Sequence, residues 1–269
     1  FQSRTTNGTQ DVNIGLNNIK ALIFSSLFNG GSNPGVGNNS MSGFVGFASE
    51  ALEQAVSAWY IKEAATANIA DSNQFSDHCI AQEGDTTSLL KAKLDAIIAG
   101  GFRLNYTLTH GSADWIHYIA ISGPRVKVSS FDSPTTDIPQ SISVGFKPEI
   151  SLLMTMGLGS VNSHQGGARF GLGFTTDEKN VSIWFGYDET DEQIASGQDD
   201  TASLVVYDEA NPGPSAQALK AVQSQFTADT LELNWVNSAP APLKIHHMSL
   251  GAGVTGNPSL LARGGEIQF

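Results

Sequence analysis

Leu231, Leu233 and Trp235 alternate with Glu232 and Asn234, the period of two that marks a strand with one buried face. Ile116 and Tyr118, running into Ile119-Ala120-Ile121, give a second such segment, and 245–250 a third. The runs 19–24 and 150–154 are short, apolar and bounded by Asn, Lys, Pro and Gly. Short apolar runs separated by turn residues predict roughly six to eight strands in each half of the chain. Two segments conflict with this reading. Residues 87–99 and 215–224 are rich in helix formers, and the first also spaces its apolar residues helically. They are expected as short helices over one end of the fold, or as strands whose local propensity is overridden, with strand in at least one copy.

Laid on itself at an offset of 130, the chain aligns Phe1 with Phe131, Ser3 with Ser133, Gln10 with Gln140 and Gly15 with Gly145. Further blocks follow in the same order. Gly46-Phe47 answers Gly173-Phe174, and Val56-Ser57-x-Trp59 answers Val181-Ser182-x-Trp184. Tyr106 answers Trp235 at the end of another block, and His117 answers His246 in the last. Preserved order and spacing predict two copies of one unit. The expected boundaries are a first domain over 1–125, a linker at 126–130, a second domain over 131–252 and a tail at 253–269. Many short strands within about 125 residues fit two facing sheets. The expected fold is therefore all-β: two tandem β-sandwich, jelly-roll-like domains from an internal duplication. A chain starting at Phe1, on a repeat boundary, is expected to have further sequence upstream.

Composition supports that class. The 269 residues include 28 Gly and 10 Pro, and only 15% are charged, well below the ordinary share of about a quarter. No apolar run reaches the ~18 residues of a membrane helix, and no basic segment leads into an apolar one as in a signal peptide. A net charge of −12 opposes binding to a phosphate backbone. The expected partners thus include neither nucleic acid nor membrane. The charge is uneven: residues 1–130 hold 8 basic and 10 acidic side chains, residues 131–269 hold 6 and 16.

Candidate chemistry is sparse. No two of the six histidines are four residues apart, so no pair shares one helix face as metal ligands. His117 and His246 recur with the repeat and are expected to serve the fold. Cys79, the single cysteine, forms no internal disulfide and is expected as a buried thiol. Asp188, Glu189, Asp191, Glu192, Asp199 and Asp200 lie in one stretch without Lys or Arg. Such oxygen donors could hold Ca²⁺, although acidic runs more often form a solvated surface or face a basic partner. No other cofactor is expected. No nucleophile elbow, phosphate-binding loop or dinucleotide fingerprint is present, and the chain is expected to be no enzyme. Trp115, beside Asp114 and without an aromatic counterpart in the second copy, is a possible platform for a sugar ring.

Gly145-Phe146-Lys147-Pro148-Glu149, Gly173-Phe174-Thr175, Val181-Ser182-x-Trp184, Leu231-x-Leu233-Asn234-Trp235 and 245–251 resemble a β-sandwich repeat of structural proteins in tailed bacteriophages. The first copy keeps 116–121 but has Gly15-Leu16-Asn17-Asn18 at the opening. The resemblance covers about residues 1–252. It implies a non-enzymatic head or tail component of the virion, assembled in the host cytoplasm and in contact with coat or tail subunits. The reading adopted is a capsid decoration or cement protein, working as a homo-oligomer. A tail- or fibre-associated protein and a carbohydrate-binding sandwich for host attachment are the alternatives.

Overall fold

Leu231, Leu233 and Trp235 are buried and Glu232 and Asn234 half-exposed, so the alternation read from the sequence becomes one strand. The computed structural model describes residues 1–29, 40–62, 69–84, 87–162, 165–188, 193–207, 217–252 and 259–261. Every regular element among them is a strand.

The first half holds β1 (Gly8–Asn13), β2 (Ile19–Asn29), β3 (Ser40–Ser49), β4 (Gln54–Lys62) and β5 (Ile69–Phe75), then β6 (Ile80–Glu83), β7 (Ser88–Ile98), β8 (Gly101–Leu108) and β9 (His117–Ser122). A connecting strand, β10 (Arg125–Asp132), leads to β11 (Pro139–Ser143), β12 (Pro148–Thr155), β13 (Gln165–Gly166), β14 (Ala168–Thr176), β15 (Asn180–Asp188) and β16 (Gln193–Asp199). After these come β17 (Leu204–Tyr207), β18 (Gln217–Phe226), β19 (Thr230–Asn237), β20 (Lys244–Gly251) and β21 (Ser259–Leu261).

They form four sheets, ordered β1-β8-β7-β6, β13-β5-β4-β3-β2-β9-β21, β10-β20-β12-β14-β15-β16 and β11-β19-β18-β17. Three apolar layers join them. Leu22, Phe24 and Phe44 meet Leu90, Phe102 and Tyr106 between the first two sheets. Phe47, Ala55 and Ile121 meet Val128, Met154 and Met248 between the two large sheets. Leu153 and Ile245 meet Leu219, Leu233 and Trp235 between the last two. The result is two sandwiches stacked through their larger sheets. Within each sandwich the runs β2–β5, β6–β8, β14–β16 and β17–β19 are meanders, and the chain crosses between the facing sheets at β1/β2, β5/β6 and β8/β9 and again at β11/β12, β16/β17 and β19/β20.

Apart from β13, which adds to the first half's large sheet beside β5, the strand order of the two halves corresponds. Local bonds recur as well. Ser3 N–H donates to Asp114 O at 2.7 Å and Ser133 N–H to Leu243 O at 2.8 Å. Gly15 and Gly145 both have positive φ, 71° and 83°, and donate to Gly100 O and Asp229 O.

Residues 126–130, expected as a linker, lie inside β10. Val126 and Val128 alternate with Lys127 and Ser129, and the strand pairs along the whole of β20. The tail contributes β21, which pairs with β9. Each half is thus completed at one edge by the strand that follows the other half. Both helix-prone segments are strands, β7 and β18. Leu90, Ala92 and Leu94 are buried on β7, and that burial outweighs local helix preference.

Candidate functional site

Between the facing sides of the two large sheets lies a cleft of about 840 Å³. Its floor on the first half comes from two rows of paired residues. One runs His117, Ser25, Val45 and the other Leu27, Gly43, Trp59. The opposite wall has the rows Phe170, Phe185, Ser196 and Leu172, Ile183, Gln198. Gly43 shapes the floor: a Cβ there would sit 2.4 Å from Trp59 Cζ2, so only glycine lets the indole lie across β3.

Trp59 reaches over the junction. Its ring centroid is 4.8 Å from that of Phe170 and 5.1 Å from that of Phe185. Offset and edge contacts of this kind stabilise beyond the area they bury. The indole is buried, yet among the described residues its Nε1 has no hydrogen-bond partner. At the mouth, Leu27 is 69% and Ile183 49% exposed. Among the described residues no Lys, Arg, Asp or Glu lines the cleft. It is apolar, rimmed by His117, serines and Gln198, and shaped to accept uncharged apolar groups.

The residues singled out from the sequence are scattered. Trp184 does not share the setting of Trp59: it packs with Ala202 and Val205 against the outer sheet. The cause is register. Gly46 pairs with Val56, whereas Gly173 pairs with Ser182, so the Val-Ser-x-Trp motif sits one residue further along in the second half. A slip of one turns every side chain to the other face. Val56 is accordingly fully buried and Val181 41% exposed.

Tyr106 and Trp235 are core residues, the latter donating from Nε1 to Gln140 Oε1 at 3.0 Å. His117 is exposed on the cleft rim, whereas His246 is fully buried. The two histidines thus sit in different surroundings: His246 contacts Ser130 Oγ through Nδ1 at 2.6 Å, and among the described residues its Nε2 has no partner. Burial, and then the nearby His247 and Lys244, hold its pKa down to about 3. Cys79 is buried, with its thiol pKa raised by desolvation.

Trp115 is 63% exposed. Asp114 beside it lies 2.6 Å from His110 Nε2. Ser26 Oγ donates to Trp115 O at 2.6 Å and Thr155 Oγ1 to Lys244 O at 2.7 Å. These matching bonds place Lys244 at the position of Trp115 and Leu243 at that of Asp114, in step with the pairing of His117 and His246.

Of the acidic candidates, Glu189, Asp191, Glu192 and the side chain of Asp188 lie outside the described residues. Asp199 is engaged otherwise. Lys220 Nζ lies 2.6 Å from its Oδ2, and Thr201 N–H and Oγ1 donate to its Oδ1. Burial raises its pKa, but these donors outweigh it and hold the group at about 2. Asp200 is exposed. Among the described residues no group of three or more His, Cys, Asp or Glu could hold a metal.

Sequence reasoning missed Gln74, Glu53 and Glu83. Gln74 and Glu53 bond across the two halves, and Glu83 is fully buried. No periodicity marks a single polar residue that faces the interior. Comparison with protein-family models, with curated proteins and with solved structures finds no match.

Proposed function

We propose that the chain is a non-enzymatic structural component of a tailed-phage particle, acting as a capsid decoration or cement protein that bridges neighbouring coat subunits. Its activity is surface burial. Two sandwiches fused through their large sheets give a stiff unit about which contacts can be arranged on both sides. The observation that carries the reading is the open apolar cleft, where Leu27 and Ile183 face solvent in the single chain. Contiguous apolar surface of this kind marks sites covered by partners. The low charge content and the resemblance of 145–149, 173–175 and 231–235 to phage sandwich repeats agree with it.

The test is copy number and location. Mass spectrometry and antibody labelling of purified particles should find the chain on the head at a fixed ratio to the coat protein. Absence from particles, or a free monomer as the sole form in lysates, overturns the reading. Labelling confined to the tail favours the tail-associated alternative. A second reading, sugar binding in host attachment, has one observation in its favour: the exposed indole of Trp115 beside the Asp114–His110 pair.

A further inference from the structure

The outer strand of the cleft wall is β16, the last in its sheet. Both wall rows end on it, at Ser196 and Gln198, which are exposed. Among the described residues no strand pairs with the other side of β16, so its outward main-chain groups are open to a further strand. An apolar trough thus runs directly beside an unpaired edge. That combination suits an extended peptide, which satisfies its backbone on the edge and sets alternate side chains into pockets.

We infer that the cleft and the free edge of β16 bind an extended segment of a partner protein whose apolar residues alternate with basic ones. Apolar side chains of one parity enter between Leu27, Trp59 and Ile183. The volume, about 840 Å³, exceeds what one side chain fills and falls within the range of recognition pockets. The basic requirement comes from the surroundings. The exposed Asp200 follows β16 directly, within a half carrying 6 basic and 16 acidic residues. Like charge disfavours a second copy of this chain, which brings the same net −12. An acyl chain could fill the trough but would leave the edge unused.

The inference concerns the isolated chain and is independent of where the protein resides; under the particle reading the segment belongs to a coat or tail subunit. The probe is a short peptide alternating lysine with valine and phenylalanine, titrated against the full chain. Controls are the same peptide with a central proline, and one with glutamate for lysine. Expected is binding of the lysine peptide alone, weakened by salt, with slowed amide exchange at 195–198. Ile183→Lys and Leu27→Asp, both at exposed positions, should each weaken it at least about tenfold with melting temperature unchanged. The inference is overturned if the lysine peptide does not bind, if either control binds equally, or if palmitate occupies the cleft in its place. It is also overturned if the chain dimerises through this face and Ile183→Lys makes it monomeric. None of these outcomes bears on whether the protein is found on particles.

Discussion

The side-chain oxygen of Gln74 accepts the backbone N–H of Met156 at 3.2 Å, across the junction of the two halves. The same side chain donates from Nε2 toward the carbonyls of Leu158, Lys244 and Ser160, at 3.2, 3.3 and 3.4 Å. One buried amide thereby satisfies main-chain groups that regular pairing leaves over. Gln74→Leu keeps the volume and removes every one of these bonds. Buried groups left unpaired cost about 1–3 kcal/mol each, so an overall loss of about 3 kcal/mol is expected in chemical denaturation. A loss below about 0.5 kcal/mol would show that Gln74 is no clamp.

Gly46 and Gly173 are places where a strand lies against a neighbouring carbonyl. A Cβ would come within 1.9 Å of Cys79 O at the first and 1.5 Å of Ser203 O at the second. Neither obstacle is a flexible side chain, so the backbone itself must move. Gly46→Ala and Gly173→Ala should each destabilise by about 3 kcal/mol. At Gly15 nothing lies within 4 Å; Gly15→Ala meets only the positive φ and should cost about 1 kcal/mol. Thermal melts of the three variants should rank in that order, and a Gly15 variant as damaged as the others would refute the distinction.

Acid stability follows from two adjacent imidazoles. Burial, the largest cause for each, lowers His246 to about 3 and His247 to about 4, against 6.5 when unfolded. Between pH 6.5 and 4 the unfolded chain takes up protons that the folded chain refuses. Stability therefore falls on acidification, by up to about 1.4 kcal/mol per pH unit for each histidine. Urea titrations at stepped pH should show this slope, and the double variant His246→Gln/His247→Gln should flatten it.

Glu83 works in the opposite direction. Burial pushes its pKa from 4.5 up to about 8, a rise that the Ser88 hydroxyl only partly offsets. From pH 4.5 to 8 the folded chain keeps a proton that the unfolded chain releases, so stability declines as pH rises. Glu83→Gln mimics the protonated form. It should match the parent near pH 4 and exceed it near pH 9. Equal stability at both values would mean that Glu83 ionises freely.

Trp115→Ala removes a side chain that is 63% exposed and should change stability by less than about 0.5 kcal/mol. If sugar binding is detected on a glycan array, this variant should abolish it; retained binding excludes Trp115 as the platform.

Strands with one buried face were legible. Leu231, Leu233 and Trp235 announce β19 because each alternate side chain meets the core. β7 was ambiguous, since 88–98 is written in residues that favour helices, and only the apposed β6 and β8 decide it. The stacking of the large sheets was not legible at all. Trp59 and Trp184 occupy the same four-residue motif, yet hairpin register, which no single residue encodes, turns one to the junction and the other to the outer sheet. The cleft shares this origin: its two walls come from opposite halves, and no local pattern relates Leu27 to Ile183.

The exchanged edge strands also order events in time. During synthesis β9 emerges long before residues 259–261, and the whole second half is translated in between. The sheet of the first half therefore gains β21 only after the second half has been made. Until then β9 presents an open edge, and a chain interrupted before residue 259 is left with its earlier half unfinished.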